Sequence, residues 1–500
     1  MDKEKYDRTN PRSIEAYAKK LAGQTFRNVL YQKDSKVREE NISETYGNKA
    51  RKGGLGNLLE EKYFGYSANS ISEADFPDAG VELKVTPFEK KANGDLRAGE
   101  RLVLSMIGYD GPIDDSLEES HMWKKSKLLL LIYYWRNKQL ANNLDYVIHY
   151  ANLFTPPEED LKIIRNDYKI IAEKIKAGNA HELSESDTMY LGACTKGVTA
   201  EKSTVPQHYG ERIPARKRAF CYKNSYMTYV LNKYIVPGVN TFQGEVSHDN
   251  EYEHIIDNSD ELTNKSFEQI VEEKINKWVG NTDRELCKEF GREYNNNKAQ
   301  WIDLAYRMLG IKSNRAEEFA KANIVVKAIR IEENGKMRES SPLPAFKYKE
   351  IIKQNWEDSD LFCYFDETKF LYVVYKKSGD CYRLTGCQLW NMPYDDLNKT
   401  VKQGWQSVVN TIKEGVKLWV AETAEGPIVK NNFPKKTDNK IVHVRPHAQQ
   451  RYFLLNDGTQ IGNGTKTKDA NQLPDGTWMP NYSFWLNNTY VVSQLKDELK

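Results

Sequence analysis

Asp75-Phe-Pro-Asp-Ala-Gly-Val-Glu82-Leu-Lys84 holds the most informative pattern in the sequence, a short predicted strand with a charged face. Residues 80–86 alternate between apolar and polar side chains, and an Ala-Gly pair and a proline bound them, which predicts a β-strand. Successive side chains of a strand point to opposite faces. Glu82 and Lys84 therefore share one face, and the aliphatic side chains of the other face are expected to pack against a core.

A second carboxylate is expected beside Glu82. Asp75 precedes Glu82 by seven residues, and a turn containing Pro77 can fold it back towards the strand. Two carboxylates and the Lys84 amine would then converge. Such oxygen ligands hold Mg²⁺, and a lysine amine orients or deprotonates the attacking water, so the segment predicts metal-assisted phosphodiester hydrolysis. Judged on the Glu-x-Lys spacing alone, a solvated strand face with a surface ion pair is the simpler interpretation.

Three segments, in a fixed order, favour the enzyme. They are Lys52-Gly-Gly-Leu-Gly-Asn-Leu-Leu-Glu60, then Asp75-Phe-Pro with the strand, then Ser120-His121 with Lys125 and the apolar run 128–132. Together they resemble the MutH family, which comprises the mismatch-repair nickase and the GATC-cleaving type II restriction endonucleases with a MutH-like core.

The resemblance implies roles for five side chains. Asp75 and Glu82 would hold Mg²⁺, for which Mn²⁺ can substitute, Lys84 would serve the water, and Glu60 and Lys125 would assist. Glu60 lies off the apolar stripe of its predicted helix, so without the resemblance it would be assigned to solvent. Two alternatives stay open: a nickase that cuts one strand of hemimethylated DNA, and a DNA-binding regulator without catalysis.

Composition bounds the class of protein. Five hundred residues suffice for two or more domains. Lys plus Arg number 73 and Asp plus Glu 71, a net charge of +2, so any basic surface must be local. The six cysteines form no CxxC pair, which favours free thiols in a reducing cytoplasm. The longest apolar run, residues 128–134, is too short to span a membrane, and we expect a cytoplasmic protein.

A cluster of cations lies in the segment 210–220. Arg212, Arg216, Lys217 and Arg218 occur within seven residues that also contain a proline. Such a segment predicts an exposed basic loop that contacts DNA phosphates. The alternative is ordinary solubilising charge.

The second half of the chain repeats the first. Residues 298–310 match the helix of Glu60, residues 319–327 match 76–84, and residues 483–492 match 219–228, at offsets of 243 to 264 residues. We therefore predict two tandem α/β domains with the restriction-endonuclease-like fold, each a mixed sheet flanked by helices. The predicted limits are 1–235 for the catalytic domain, 236–262 for a linker and 263–500 for the second domain.

The repeat keeps the scaffold and loses the chemistry. Val325 stands in place of Glu82, Ala305 in place of Glu60 and Glu318 in place of Asp75, whereas Lys327 matches Lys84. A valine cannot ligate Mg²⁺, so the second domain is expected to be inactive.

The second domain nevertheless has a candidate DNA contact. Residues 443–448 resemble the MutH loop that contacts bases, with Arg445 and His447 at the contact positions, and an exposed Arg-Pro turn is the plainer alternative. The first domain has Cys194 and Lys196 there, and Lys196 is its predicted base contact. Arginine offers paired donors to guanine.

The prediction as a whole is a type II restriction endonuclease that cleaves double-stranded DNA at GATC. Its second domain would act as a DNA-binding allosteric effector. A dimer on DNA and a cognate methyltransferase are the further partners that the resemblance implies.

Overall fold

The computed structural model describes residues 6–33, 46, 54–66, 73–91, 94–137, 139–196, 203–242, 252–256, 258, 260–295, 297–423 and 426–500. Lys52, with which the first MutH-like segment opens, and residues 243–251 of the predicted linker lie outside these ranges. The chain divides into two compact units, Met1–Phe267 with Arg315–Asn323, and Glu268–Asn314 with Ile324–Lys500. Within the ranges given, no helix combines the length and apolar character needed to cross a membrane.

The helices and strands follow in chain order. The α-helices are α1 (Pro11–Ala18), α2 (Phe26–Lys33), α3 (Gly54–Leu58), α4 (His121–Ser126), α5 (Glu158–Lys176), α6 (Asn224–Val230), α7 (Glu261–Asn264), α8 (Phe267–Asn276), α9 (Asp283–Glu289), α10 (Lys298–Met308), α11 (Glu317–Ala322), α12 (Tyr348–Ile351), α13 (Asp360–Glu367), α14 (Lys402–Glu414), α15 (Lys466–Asp469) and α16 (Asn488–Gln494). The strands are β1 (Glu82–Lys90), β2 (Leu96–Ala98), β3 (Leu102–Met106), β4 (Leu129–Trp135), β5 (Val147–Phe154), β6 (Leu191–Thr195), β7 (Thr204–Val205), β8 (Ala215–Arg216), β9 (Arg218–Tyr222), β10 (Ile324–Ile331), β11 (Ser341–Phe346), β12 (Lys369–Ser378), β13 (Cys381–Trp390), β14 (Leu418–Thr423), β15 (Gly426–Asn431), β16 (Val442–Pro446), β17 (Phe453–Leu454), β18 (Gln460–Ile461), β19 (Ala470–Gln472), β20 (Trp478–Pro480) and β21 (Tyr482–Leu486).

The first unit is built on a mixed sheet with the strand order β2-β1-β4-β5. β1 pairs in parallel with β4, with Glu82 opposite Leu129, and β5 pairs antiparallel with β4. β4 is apolar along most of its length because both of its faces are covered. Val81 and Leu83 pack in one core with α1 and α3, as the alternation predicted.

One local prediction differs from the structure. β1 begins at Glu82 and runs past Pro87 to Lys90, further than the predicted 80–86. β1 also pairs with the short β2, whereas β3 pairs with β9. Asn10 caps α1, because its side chain accepts the Arg12 amide hydrogen.

The second unit repeats the strand pairing of the first. Its sheet β10-β12-β13 has a parallel pair followed by an antiparallel pair, as β1-β4-β5 has. Its sheet β11-β21-β16 is antiparallel throughout and corresponds to β3-β9-β6. The second unit also contains the separate hairpin β14–β15 and the separate four-stranded sheet β18-β17-β20-β19. The predicted fold class, mixed α/β with helices flanking mixed sheets, is confirmed.

One segment belongs to a different unit from its sequence neighbours. Residues 315–323 match part of the first domain's catalytic segment in sequence, yet they pack within the first unit. The buried Lys321 amine there donates to Asp160 Oδ1 at 2.6 Å and also binds Glu317. Burying an ammonium group is unfavourable without such partners. The domain limits drawn from the sequence remain predictions.

Candidate active site

A tight turn folds Asp75 back against β1. The chain reverses in a 3₁₀ turn at Pro77–Ala79, and Gly80 completes it with a φ of 64°, a conformation that glycine adopts at no steric cost. The Leu83 amide donates to Asp75 Oδ2 at 2.9 Å, and the Asp75 amide donates to Glu82 Oε2 at 3.3 Å. The structure therefore brings Asp75 and Glu82 together, in the geometry expected from the sequence.

Two lysines approach the other oxygen of Glu82. Lys84 Nζ lies 2.8 Å from Glu82 Oε1, and Lys125 Nζ lies 3.6 Å from the same atom. Lys84 reaches it from two positions along the strand, because alternate side chains share a face. Lys125 reaches it from the last turn of α4, whose first turn is capped by Ser120. Since β1 is parallel to β4, the end of α4 lies beside the start of β1, and Glu82 donates its amide hydrogen to the carbonyl of Leu128.

Glu60 approaches the same cluster from the helix that precedes the Asp75 turn in the chain. α3 continues as a π-helical turn, Leu59–Phe64, and Glu60 is carried by that turn. Single π-helical turns occur frequently at functional sites, because the extra residue shifts side chains relative to the helix face. Burial and the nearby Glu82 raise the pKa of Glu60, and the ammonium groups of Lys84 and Lys125 oppose that rise. Glu60 therefore faces the site rather than bulk solvent.

The acidic residues destabilise one another as charged groups. Burial, followed by the neighbouring Glu82 carboxylate, raises the pKa of Asp75 to about 7, although the Leu83 amide stabilises the ionised form. Glu60 adds to the same rise. Closely spaced buried carboxylates favour a cation between them, because a positive charge removes their mutual repulsion.

This donor set fits a hard divalent cation. Asp75 and Glu82 supply oxygen atoms, and Mg²⁺ is usually bound by one or two carboxylates, with water and phosphate oxygens completing its shell. In the part of the chain that the structure describes, no three acidic, histidine or cysteine side chains group closely enough to hold an ion by themselves. The residues therefore fit a two-carboxylate site that substrate and water would complete.

A tyrosine that the sequence did not single out also adjoins the acids. Tyr66 directly follows Gly65, the left-handed residue that ends the Glu60 turn. Burial and then the carboxylates of Asp75, Glu60 and Glu82 raise its pKa well above the usual value. A tyrosine just past a glycine helix end is a common pattern, so no sequence signal distinguished this one.

The predicted DNA contacts of the first unit divide into exposed and buried residues. Lys196 directly follows β6 and is half-buried, and its amide donates to the carbonyl of Lys217. Arg212 is exposed at a φ of 58°. Both remain available for a DNA contact.

The prediction of a basic exposed loop is wrong for two of its arginines. Arg218 is 2% exposed, and its guanidinium donates to the carbonyl of Ala193 at 2.6 Å. Arg216 is 8% exposed. Arg216 lies in β8 and Arg218 in β9 rather than in a loop, and every residue of these two short strands is buried. A run of cations cannot reveal this, because strand pairing with β6 and β7 decides which side chains are buried.

The counterpart positions of the second unit hold no acidic cluster. Val325, which matches Glu82 in sequence, is the second residue of β10 and packs against the apolar core. Ala305 is fully buried. Burial lowers the pKa of Lys327. Glu318, the counterpart of Asp75 in sequence, lies within the first unit, where its carboxylate accepts the backbone amide hydrogens of Ile255 and Ile256.

Arg445 and His447 are exposed at the end of β16. The register of β16 with β21 matches that of β6 with β9, so Arg445 corresponds to Cys194 and His447 follows where Lys196 follows β6. The Arg445 guanidinium carbon lies 3.7 Å from the centroid of the Trp485 ring, and the His447 ring lies 5.6 Å from it. The tryptophan, which the sequence analysis did not identify, supports the arginine by cation–π stacking.

Comparisons with known proteins agree with this geometry. The family model of the DNA mismatch repair enzyme MutH matches residues 64–167. The type II restriction enzyme Sau3AI of Staphylococcus aureus is 34% identical over 476 residues, which cover 90% of this chain and 94% of that enzyme. The DNA mismatch repair protein MutH of Shigella flexneri serotype 5b is 29% identical over 224 residues, 44% of this chain and 91% of the relative. A MutH of Escherichia coli O6:K15:H31 is 28% identical over 191 residues.

Proposed function

The chain belongs to the family of type II restriction enzymes with a MutH-like endonuclease domain, and from that premise we propose that it cleaves double-stranded DNA at GATC sites with Mg²⁺. It is a site-specific deoxyribonuclease, and DNA is its substrate. The convergence of Asp75, Glu82 and Lys84 supports the proposed chemistry, because a DNA-binding regulator has no use for two carboxylates that repel phosphate. Mn²⁺ would substitute for Mg²⁺, since both accept oxygen ligands.

Asp75 and Glu82 would hold the metal, and the lysines would handle water and charge. A bound divalent cation supplies an activated water and stabilises negative charge on the phosphate. The Lys84 amino group, held 2.8 Å from Glu82 Oε1, would orient the attacking water as an ammonium donor, and its neutral amine form would take up the proton that the water loses. Lys125, whose Nζ lies 3.6 Å from the same Glu82 oxygen, and Glu60 would assist.

DNA would approach the first unit along its exposed cations. Lys196 is the proposed base contact, because it directly follows the strand that corresponds to β16 in the second unit. Arg212 is the proposed phosphate contact. Arg216 and Arg218 support the strands beneath this surface instead.

The second domain, which we place at 263–500 after the linker 236–262 and the catalytic domain 1–235, would act as an allosteric effector. Two observations support this role. β10 carries Val325 in place of Glu82, and Arg445 is exposed and stacks on the ring of Trp485. An effector must bind DNA differently in the active and inactive arrangements, with a coupling of about 1–3 kcal/mol. A palindromic site has two equivalent strands, so a double-strand cut needs two catalytic domains or two encounters, and a dimer on DNA meets that need.

Two further expectations follow from the proposed restriction activity. A cognate methyltransferase must protect the host's own GATC sites from cleavage. Because such enzymes act on DNA that enters the cell, we place the protein in the cytoplasm.

The test is a digest of two plasmids with purified protein and Mg²⁺, one with GATC sites and a matched one in which every GATC is mutated. We expect double-strand breaks only in the first, with sequenced ends mapping to GATC, and none in EDTA. Nicks confined to hemimethylated plasmid would support the nickase instead. Binding to GATC without any cleavage would support the regulator.

A further inference from the structure

Tyr66 is held between the two acidic segments of the site. Its amide donates to the carbonyl of Glu60 at 3.1 Å, which ties the residue to the π-helical turn. Its ring meets the ring of Phe76, the neighbour of Asp75, edge-on with centroids 5.3 Å apart. The hydrogen bond of its amide and the contact of its ring with Phe76 therefore hold the side chain in place.

The hydroxyl of Tyr66 is buried and has no hydrogen-bond partner within the described residues. Native structures rarely leave a buried polar atom unpaired, because desolvation is not offset. Its backbone and ring contacts place it between the segments that carry Glu60 and Asp75. The phenol hydroxyl has one hydrogen to donate, so an acceptor within reach would satisfy it.

Two neighbouring tyrosines of the same core have paired hydroxyls. Tyr63, on the same turn, donates to the carbonyl of Tyr17 at 2.8 Å. Tyr6 donates to the carbonyl of Phe64 at 3.1 Å. Both hydroxyls are satisfied by backbone carbonyls, whereas that of Tyr66 has no partner within the described residues.

Asp75 offers the matching acceptor. Its Oδ2 accepts the Leu83 amide hydrogen at 2.9 Å, and Oδ1, as a carboxylate oxygen, can accept a further hydrogen bond. A water molecule can accept from the phenol and donate to that oxygen, so one water would satisfy both groups.

We propose that Tyr66 is a positioning residue of the nuclease, whose hydroxyl donates to a water that in turn donates to Asp75 Oδ1. The contact fixes the carboxylate in the orientation that holds a divalent cation. It rests on the proposed function of the same site. Tyr66 acts through Asp75 and does not contact the DNA.

The test replaces the hydroxyl and keeps the ring. Tyr66→Phe is expected to weaken Mn²⁺ binding by the DNA-free protein, and to lower kcat, by about tenfold each, the usual range for a residue that orients a metal ligand. KM for DNA should stay unchanged. Mn²⁺ binding is measured by calorimetry, and the melting temperature is measured without metal.

Tyr63→Phe is the matched control, because it removes a paired hydroxyl from the same turn. It should lower the melting temperature and leave both the Mn²⁺ affinity and kcat unchanged. Unchanged Mn²⁺ affinity in Tyr66→Phe, or a loss of melting temperature alone, would overturn the proposal. If the wild-type chain fails to cut GATC while Tyr66→Phe still weakens Mn²⁺ binding, the proposed function fails and the role of Tyr66 stands.

Discussion

The two units place different chemistry on the same local scaffold. In both, a serine caps the helix before the inner strand: Ser120 and Ser359 each accept an amide hydrogen three residues on and donate to a carbonyl three residues back. Five residues after the cap stands Lys125 in the first unit and Tyr364 in the second. The strands that follow these helices, β4 and β12, then pair in parallel with β1 and β10.

The difference indicates that the carboxylate of Glu82 is not needed for the parallel strand pair. The second unit forms the same parallel pair with Val325 where the first has Glu82. The acids of the first unit instead carry a cost, because they raise each other's pKa. A strained cluster that the scaffold does not require is typical of a functional site.

The largest effect is expected when the valine of the second unit replaces Glu82 in the first. Glu82→Val should lower cleavage by about 10³-fold or more, because one metal-holding oxygen pair is lost. DNA binding should be unchanged or tighter, since repulsion of phosphate decreases. Plasmid cleavage and gel-shift titration measure the two effects.

Val325→Ala is the control, because it alters the matching strand position of the second unit. It should leave the cleavage rate of the first unit unchanged. Cleavage by Glu82→Val at the wild-type rate would contradict the site assignment.

Some of this site follows from local sequence and some does not. The convergence of Asp75 and Glu82 was predictable, because a period of two and a proline turn are properties of neighbouring residues. The burial of Arg218 was not, since it depends on pairing with β6, distant in sequence. The packing of residues 315–323 within the first unit was also beyond a repeat alignment, because the ion pair of Lys321 with Asp160 joins residues 161 apart.

Glu60→Ala tests whether cleavage needs the carboxylate that the helix carries. Ala305 occupies the matching position, so the substitution should leave the fold intact. Cleavage should fall by about 10- to 100-fold, less than for Glu82, because Glu60 assists rather than holds the metal. Glu61→Ala, which removes the adjacent exposed acid, should change the rate little. Equal rates for the two variants, measured as single-turnover cleavage, would contradict a role for Glu60.

Stability against acid should differ between matched ion pairs. Glu89 of β1 binds Arg97 and Arg136, which lower its pKa from 4.5 to about 2 despite burial. In the second unit, Glu332 lies 3.6 Å from Lys377. A lowered carboxyl pKa stabilises the folded state above the unfolded pKa of 4.5, and this stabilisation is lost as the pH falls towards 2.

The test compares Glu89→Gln with Glu332→Gln. Glu89→Gln should reduce the free energy of unfolding by about 2–3 kcal/mol at pH 7, whereas Glu332→Gln should cost about 1 kcal/mol or less. Urea unfolding at pH 7 and at pH 2.5 measures both. The two variants should converge at the lower pH, and an undiminished difference there would contradict the assigned cause.

Arg445→Ala should give the smallest effect and the sharpest view of what the second unit does. Arg445 is exposed and stacked on Trp485, so its loss removes a preorganised donor pair without opening the core. Binding of GATC DNA should weaken by about 1–3 kcal/mol. If the second unit activates the first, cleavage of a two-site plasmid should slow more than that of a one-site plasmid, because a tethered second site raises effective concentration.

Lys399→Ala, which removes an exposed cation paired with Asp395, should slow neither. Equal rates of Arg445→Ala and wild type on both plasmids would leave the second unit as a structural partner, because an effector's contacts must change the reaction that it controls.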